Sequence, residues 1–178
     1  MNLTPDAADA HFVQDYAPKA TIDGVELLDL RLFHDDGGSL TELGRFERGR
    51  HLGLAGFEIR QLNYSLIEPT TIKAFHLHHR QTDVWYVPPH DRILVVLGDV
   101  REGSASKGLT MRVVLGGGSN RLLRIPPGVA HGARNVGQST ARILYFTDVH
   151  FSVDPEECDE GRLPWDFFGE KIWEVQKG

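Results

Sequence analysis

Short strand-like runs, each closed off by a glycine- or proline-rich break, constrain this chain more than any other feature. From Ile22 onward, apolar and β-branched residues gather in segments 26–33, 57–67, 72–77, 84–87, 92–97, 109–115, 121–125 and 141–147. The breaks between them, such as Asp35-Asp36-Gly37-Gly38, Pro88-Pro89-His90-Asp91, Gly116-Gly117-Gly118 and Asn135-Val136-Gly137, favour tight turns. Many short strands at close spacing predict an all-β sandwich, jelly roll or barrel. With 178 residues the chain fits one core. We expect one domain over 1–178, with an N-terminal extension over 1–20, a core over 22–150 and a tail over 151–178. Thr4-Pro5-Asp6 reads as the start of a short helix that Thr4 can cap. The acidic stretch 154–161 reads as a surface loop. The aromatic tail around Trp165, Phe167, Phe168 and Trp173 is expected to pack back on the body.

Charge and composition narrow the function. A net charge of −6 argues against a nucleic-acid partner, which needs a basic face. The single cysteine, Cys158, forms no internal disulfide and no thiolate cluster. The N-terminus carries acids and no long apolar run, so neither a secretory signal nor a membrane span is expected, and the cytoplasm is the expected location.

The histidines carry the chemistry. In Lys73-Ala74-Phe75-His76-Leu77-His78-His79, strand alternation puts His76 and His78 on one face with Ala74, and Phe75, Leu77 and His79 on the other. A second cluster, Ile125-Pro126-Pro127-Gly128-Val129-Ala130-His131-Gly132, sets His131 just beyond a rigid turn. Pro126-x-Gly128-x-x-His131-x-x-x-Asn135 resembles the second cupin motif, and His76-x-His78 followed by Asp83 is similar to a degenerate first one. The resemblance implies a double-stranded β-helix. A metal-binding cupin would use His76, His78, Asp83 and His131 as ligands; alternatively the histidines line a polar pocket.

A longer resemblance runs from about Ile22 to Trp173. Phe33-His34-Asp35-Asp36-Gly37-Gly38 with Glu42, then Gln61-Leu62-Asn63-Tyr64-Ser65, then Lys73-Ala74-Phe75-His76 follow in order. Asp99-Val100-Arg101-Glu102-Gly103-Ser104, the Ile125–Gly132 run and a closing Ile172-Trp173 complete the set. In this order they resemble the dTDP-4-dehydrorhamnose 3,5-epimerase family. The resemblance implies proton removal and return at C3 and C5 of a dTDP-4-keto-6-deoxy sugar, acidified by the C4 ketone. His76 would be the base, oriented by a carboxylate. Lys73 would meet the diphosphate, Glu42, Gln61 and Asn63 would contact the nucleotide sugar, and His131 would line the pocket. No cofactor is implied, and a homodimer formed by strand exchange is.

The chain departs from that pattern at several positions. Gly37 replaces an arginine, and no lysine stands near Asp83 or Val84, where the family has one to stabilise the enolate. The acid tyrosine is expected within 147–151, which offers His150 or Phe151; only His150 can donate a proton. The base's carboxylate partner is expected near Trp165-Asp166-Phe167-Phe168, which makes Asp166 the candidate. Three readings stay open here: a divergent epimerase, a metal cupin of isomerase or oxygenase type, and a non-catalytic sugar-nucleotide-binding relative.

Overall fold

The computed structural model describes residues 2–176. After a short helix, Pro5–Ala10, the strands in chain order are β1 Glu26–Asp29, β2 Leu32–Asp35, β3 Gly38–Thr41, β4 Phe46–Glu47 and β5 Arg50–His51. They continue as β6 Gln61–Ile67, β7 Ile72–Leu77, β8 Asp83–Tyr86, β9 Arg92–Asp99 and β10 Thr110–Gly116. The last are β11 Arg121–Ile125, β12 Val129–Asn135, β13 Ala141–Thr147 and the two-residue β14 Gly161–Arg162, followed by one 3-10 turn, Glu170–Trp173. Two five-stranded sheets, β1-β11-β8-β13-β6 and β10-β9-β12-β7-β14, make the jelly roll, and neighbouring strands in both run antiparallel. Hairpins β2-β3 and β4-β5 stand apart from both. Among the described residues no helix is long and apolar enough to cross a membrane.

Strand β9 shows why the central strands read as unbroken apolar runs. Ile93, Val95 and Leu97 enter the core between the sheets, with Leu115, Leu123 and Ile143. Their neighbours Leu94 and Val96 point outward, yet are buried under the tail with Phe75 and Trp173. The other sheet has its own outer layer, where Leu54 and Phe57 from the loop after β5 cover Val84, Leu122 and Phe146. Both faces of the middle strands are therefore dry, and the two-residue alternation is masked. The tail packs as expected: Trp173 is buried, its ring 5.1 Å from that of Phe75, and its Nε1 donates to the Trp165 carbonyl.

Three expectations need correction. The N-terminal helix forms with Pro5 at its first turn, but Thr4 makes no side-chain cap and no residue of the helix is buried. Segment 26–33 is two strands, because Leu30 leaves the ladder after β1 and donates to the Asn120 carbonyl. Segment 129–135, read from sequence only as the stretch after a turn, is a full strand, β12, at the centre of its sheet.

Candidate active site

Strand β7 brings the chemistry inward. Ala74, His76 and His78 face a cavity of about 470 Å³, while Phe75 and Leu77 pack outward in the cluster under the tail. Opposite them, β12 sets His131 in direct register with His76, and the two rings stack 5.8 Å apart and within 12° of parallel. Two glycines allow this approach. A side chain at Gly132 would put its Cβ 2.4 Å from that of Ala74 on β7. Gly128, at φ +75°, follows Pro127 in a turn closed by the Val129 N–H on the Pro126 carbonyl, and its own N–H donates to the His78 carbonyl. Between the pairs His131–His76 and Ala133–Lys73, β7 carries one residue more than β12. This bulge accompanies a local loss of alternation, so that Lys73 as well as Ala74 borders the cavity.

The cavity floor is a closed polar network. One oxygen of Asp83 accepts from Gln81 Nε2 at 2.7 Å, the other from Trp85 Nε1 at 3.0 Å and faces His131 Nε2 at 3.3 Å. Burial alone would raise the Asp83 pKa, but the bond and charge of His131, the charge of His78 and the Trp85 bond together hold it below the usual carboxylate value. His131 Nδ1 lies 3.0 Å from the Val129 carbonyl and His78 Nδ1 lies 2.6 Å from that of Asp159, so each ring places a proton on Nδ1 and turns Nε2 to the floor.

His76 sits above this floor with a different pair of partners. Its Nδ1 is 3.3 Å from a Glu160 oxygen, and its Nε2 is 2.8 Å from a guanidinium nitrogen of Arg162. A guanidinium only donates, so Nε2 is the acceptor and Nδ1 carries the proton. Burial first, then the nearby charges of His131, Arg162 and His78, lower the His76 pKa from 6.5 to about 3, against a smaller opposing pull from Asp83. The ring is neutral at ordinary pH.

Glu160 and Arg162 reach His76 because β14 adds to the edge of β7, pairing Arg162 with His76 and Gly161 with Leu77. The Asp159 carboxylate anchors this addition by accepting the backbone N–H groups of His79, Arg80 and Gln81 at 2.9–3.0 Å. Burial raises its pKa, and those three N–H groups together with the charge of His78 more than offset the rise. The acidic stretch 154–161 is thus exposed only in its first part, and its last residues enter the site. Across the cavity, Tyr145 of β13 is in register with Trp85 on one side and Asn63 on the other. Burial, Asp83 and Glu160 raise the pKa of its phenol, which keeps it protonated.

The remaining expected residues are dispersed. Gln61 and Asn63 lie on the inner-facing side of β6, joined by a 2.9 Å hydrogen bond, and Lys73 is exposed with Nζ on the Leu66 carbonyl. Glu42 is outside the cavity that His76, His78 and His131 line, paired with Arg45 at 2.7 Å beside a separate hollow. His150 is exposed beyond the end of β13, and Asp166 is exposed in a turn of the tail. Glu160 and Tyr145 therefore share the cavity with His76, and His150 and Asp166 do not line it. Tyr145 was legible as an inner-face residue of 141–147, on the side of Ile143; Glu160 gave no local signal. The proposed metal set does not converge as one group. His76, His78 and Glu160 form one cluster and His78, Asp83 and His131 another, among the described residues. A further groove, near Lys19, Arg92 and Arg112, has no carboxylate, histidine or tyrosine in its lining.

Comparison with known proteins accords with this geometry. The family model described as dTDP-4-dehydrorhamnose 3,5-epimerase matches residues 19–165. The spore coat polysaccharide biosynthesis protein SpsL of Bacillus subtilis is 41% identical over 147 residues, covering 82% of this chain and 91% of that protein. The crystal structure of a dTDP sugar isomerase from Desulfovibrio desulfuricans G20 superposes with a TM-score of 0.71 at 30% identity, over 82% and 87% of the two chains. That of a dTDP-4-dehydrorhamnose 3,5-epimerase from Bacillus anthracis, with TDP and PPi bound, gives 0.71 at 25% identity, over 89% and 90%. These matches do not favour the metal-cupin reading or the non-catalytic one.

Proposed function

The chain belongs to the dTDP-4-dehydrorhamnose 3,5-epimerase family, and from that premise we propose that it epimerises a dTDP-4-keto-6-deoxy sugar with His76 as general base. One observation carries the assignment. His76 is a neutral imidazole in a substrate-sized cavity, with its Nδ1 proton directed at Glu160. A carboxylate there fixes the tautomer and stabilises the imidazolium that forms when Nε2 takes a proton. Tyr145 is the acid on the opposite wall, a role its raised pKa suits. His131 borders the sugar site above Asp83. On this reading Lys73, at the border of the cavity, meets the diphosphate, and Gln61 and Asn63, on β6 beside Tyr145, meet the nucleotide sugar.

We further propose a homodimer. The outward side of β6 exposes Leu62, Tyr64 and Leu66 at the edge of its sheet, and the N-terminal segment exposes Phe12 and Tyr16. A second copy covering these surfaces would also explain why Glu42 has no place in the cavity of its own chain.

The test is proton exchange. In heavy water the protein should place deuterium at C3 or C5 of dTDP-4-keto-6-deoxyglucose, read by NMR, and His76→Asn should abolish it. A wild-type chain that is thermally stabilised by dTDP yet exchanges nothing would defeat the reading.

A further inference from the structure

We propose that Arg162 is the oxyanion-binding cation of this site, capping the lone pair of His76 Nε2 in the free chain and moving to the ketone oxygen when substrate arrives. The inference rests on His76 acting as the base. It starts from a conflict in the geometry. The nitrogen that must take a carbon-bound proton already accepts an N–H of Arg162 at 2.8 Å. One lone pair cannot do both, so Arg162 has to leave before proton transfer. Arg162 is an exposed residue at a sheet edge.

Where it goes follows from the surrounding charges. Two permanent cations border the cavity, Lys73 and Arg162. Lys73 is exposed and bonded to the Leu66 carbonyl. Position 83, near which no lysine stands, is an acid committed to His131, Trp85 and Gln81. A ketone oxygen stands two bonds from the carbon that loses its hydrogen. A base nitrogen and a guanidinium that start in contact need part only by the length of one H–C–C=O unit to engage both of its ends. The step balances. The Nε2 lone pair forms an N–H bond, the C–H pair becomes the enolate double bond, and the carbonyl π pair moves to oxygen, where the guanidinium donates to it. On collapse the carbon takes a proton from the Tyr145 hydroxyl on the other face. The imidazolium and phenolate then reset by exchange with water.

The same movement sharpens the base. His76 is faced by Arg162 of β14 and Glu160 just before it, His78 just beyond the end of β7, His131 from β12, Asp83 from β8 and Tyr145 from β13. Arg162 is one of the groups that hold its basicity down, so its departure to the oxyanion raises the proton affinity of Nε2 as the enolate forms.

The test compares wild type, Arg162→Gln and Arg162→Lys by deuterium uptake into the sugar nucleotide, dTDP affinity, and NMR titration of His76. Arg162→Gln should slow exchange by about 100- to 1,000-fold, as loss of an oxyanion donor does, with dTDP affinity held and the His76 midpoint moved to higher pH. Arg162→Lys should recover part of the rate. Wild-type exchange in Arg162→Gln overturns the inference. So does weakened dTDP binding at unchanged turnover, which would make Arg162 a phosphate contact. If wild type itself exchanges no proton, the base assignment fails and this inference with it, an outcome distinct from a failure confined to the variants.

Discussion

The Asp83 carboxylate and the Nε2 of His131 face each other at 3.3 Å, with both side chains almost wholly buried, 3% and 2% exposed. Removing one partner of such a pair strands the other and, here, also orphans the N–H groups of Trp85 and Gln81. Asp83→Ala should therefore cost about 3–5 kcal/mol of stability, read from the urea midpoint. Asp83→Asn, which keeps an acceptor, should cost less. Equal midpoints for wild type and Asp83→Ala would show that the floor network adds nothing to the fold.

Tyr145→Phe separates abstraction from return. With the phenol gone, His76 can still remove and replace a proton on its own face, so deuterium uptake at the original configuration should persist. Formation of the inverted sugar should fall by about 100-fold or more. Loss of both signals together would assign Tyr145 to binding, and retention of both would remove it from the mechanism.

Glu160→Gln keeps the shape and the acceptor but not the charge that steadies the imidazolium. The expected result is a kcat about 10- to 100-fold lower with KM little changed. A change confined to KM would make Glu160 a substrate ligand.

Acid should weaken the fold through His76. The unfolded chain takes up this proton near pH 6.5, whereas the folded ring resists until about 3. Stability is thus intact above 6.5 and falls as pH drops through the interval, by about 2 kcal/mol at pH 5 from this group. Asp83 and Asp159, whose pKa values are lowered, contribute stability lost only further into acid, below the ordinary aspartate value of 3.8. Between pH 7.5 and 5 the drop in Tm should be smaller in His76→Gln than in wild type. An identical drop would place the His76 ring in a solvent-like setting.

The contrast between what the residues announced and what they concealed has a physical basis. Strands β7, β11 and β13 were readable to the residue, because each is a compact apolar run closed by turn formers. That His76 and His78 share one face followed from alternation alone; that this face is the inner one did not. Strand β12 was hidden because Pro126, Pro127 and Gly128 drew attention to the turn, although the turn is what launches the strand. Asp166 was singled out and Glu160 was not, because a family resemblance fixes order and not edge pairing. Nothing local in Glu160-Gly161-Arg162 says that it will hydrogen-bond to β7, 84 residues earlier for Glu160 and His76. Glu160 sits in an acidic stretch that composition alone assigns to solvent.

The two-residue strand β14 is the last ladder the chain adds, after both sheets have their full complement of long strands. During synthesis on the ribosome the barrel can thus close before Glu160 and Arg162 emerge, leaving a folded body with an unpartnered imidazole at position 76. On the roles proposed for Glu160 and Arg162, catalytic competence is a late docking event, and fraying of that one sheet edge should cost activity before it costs the fold.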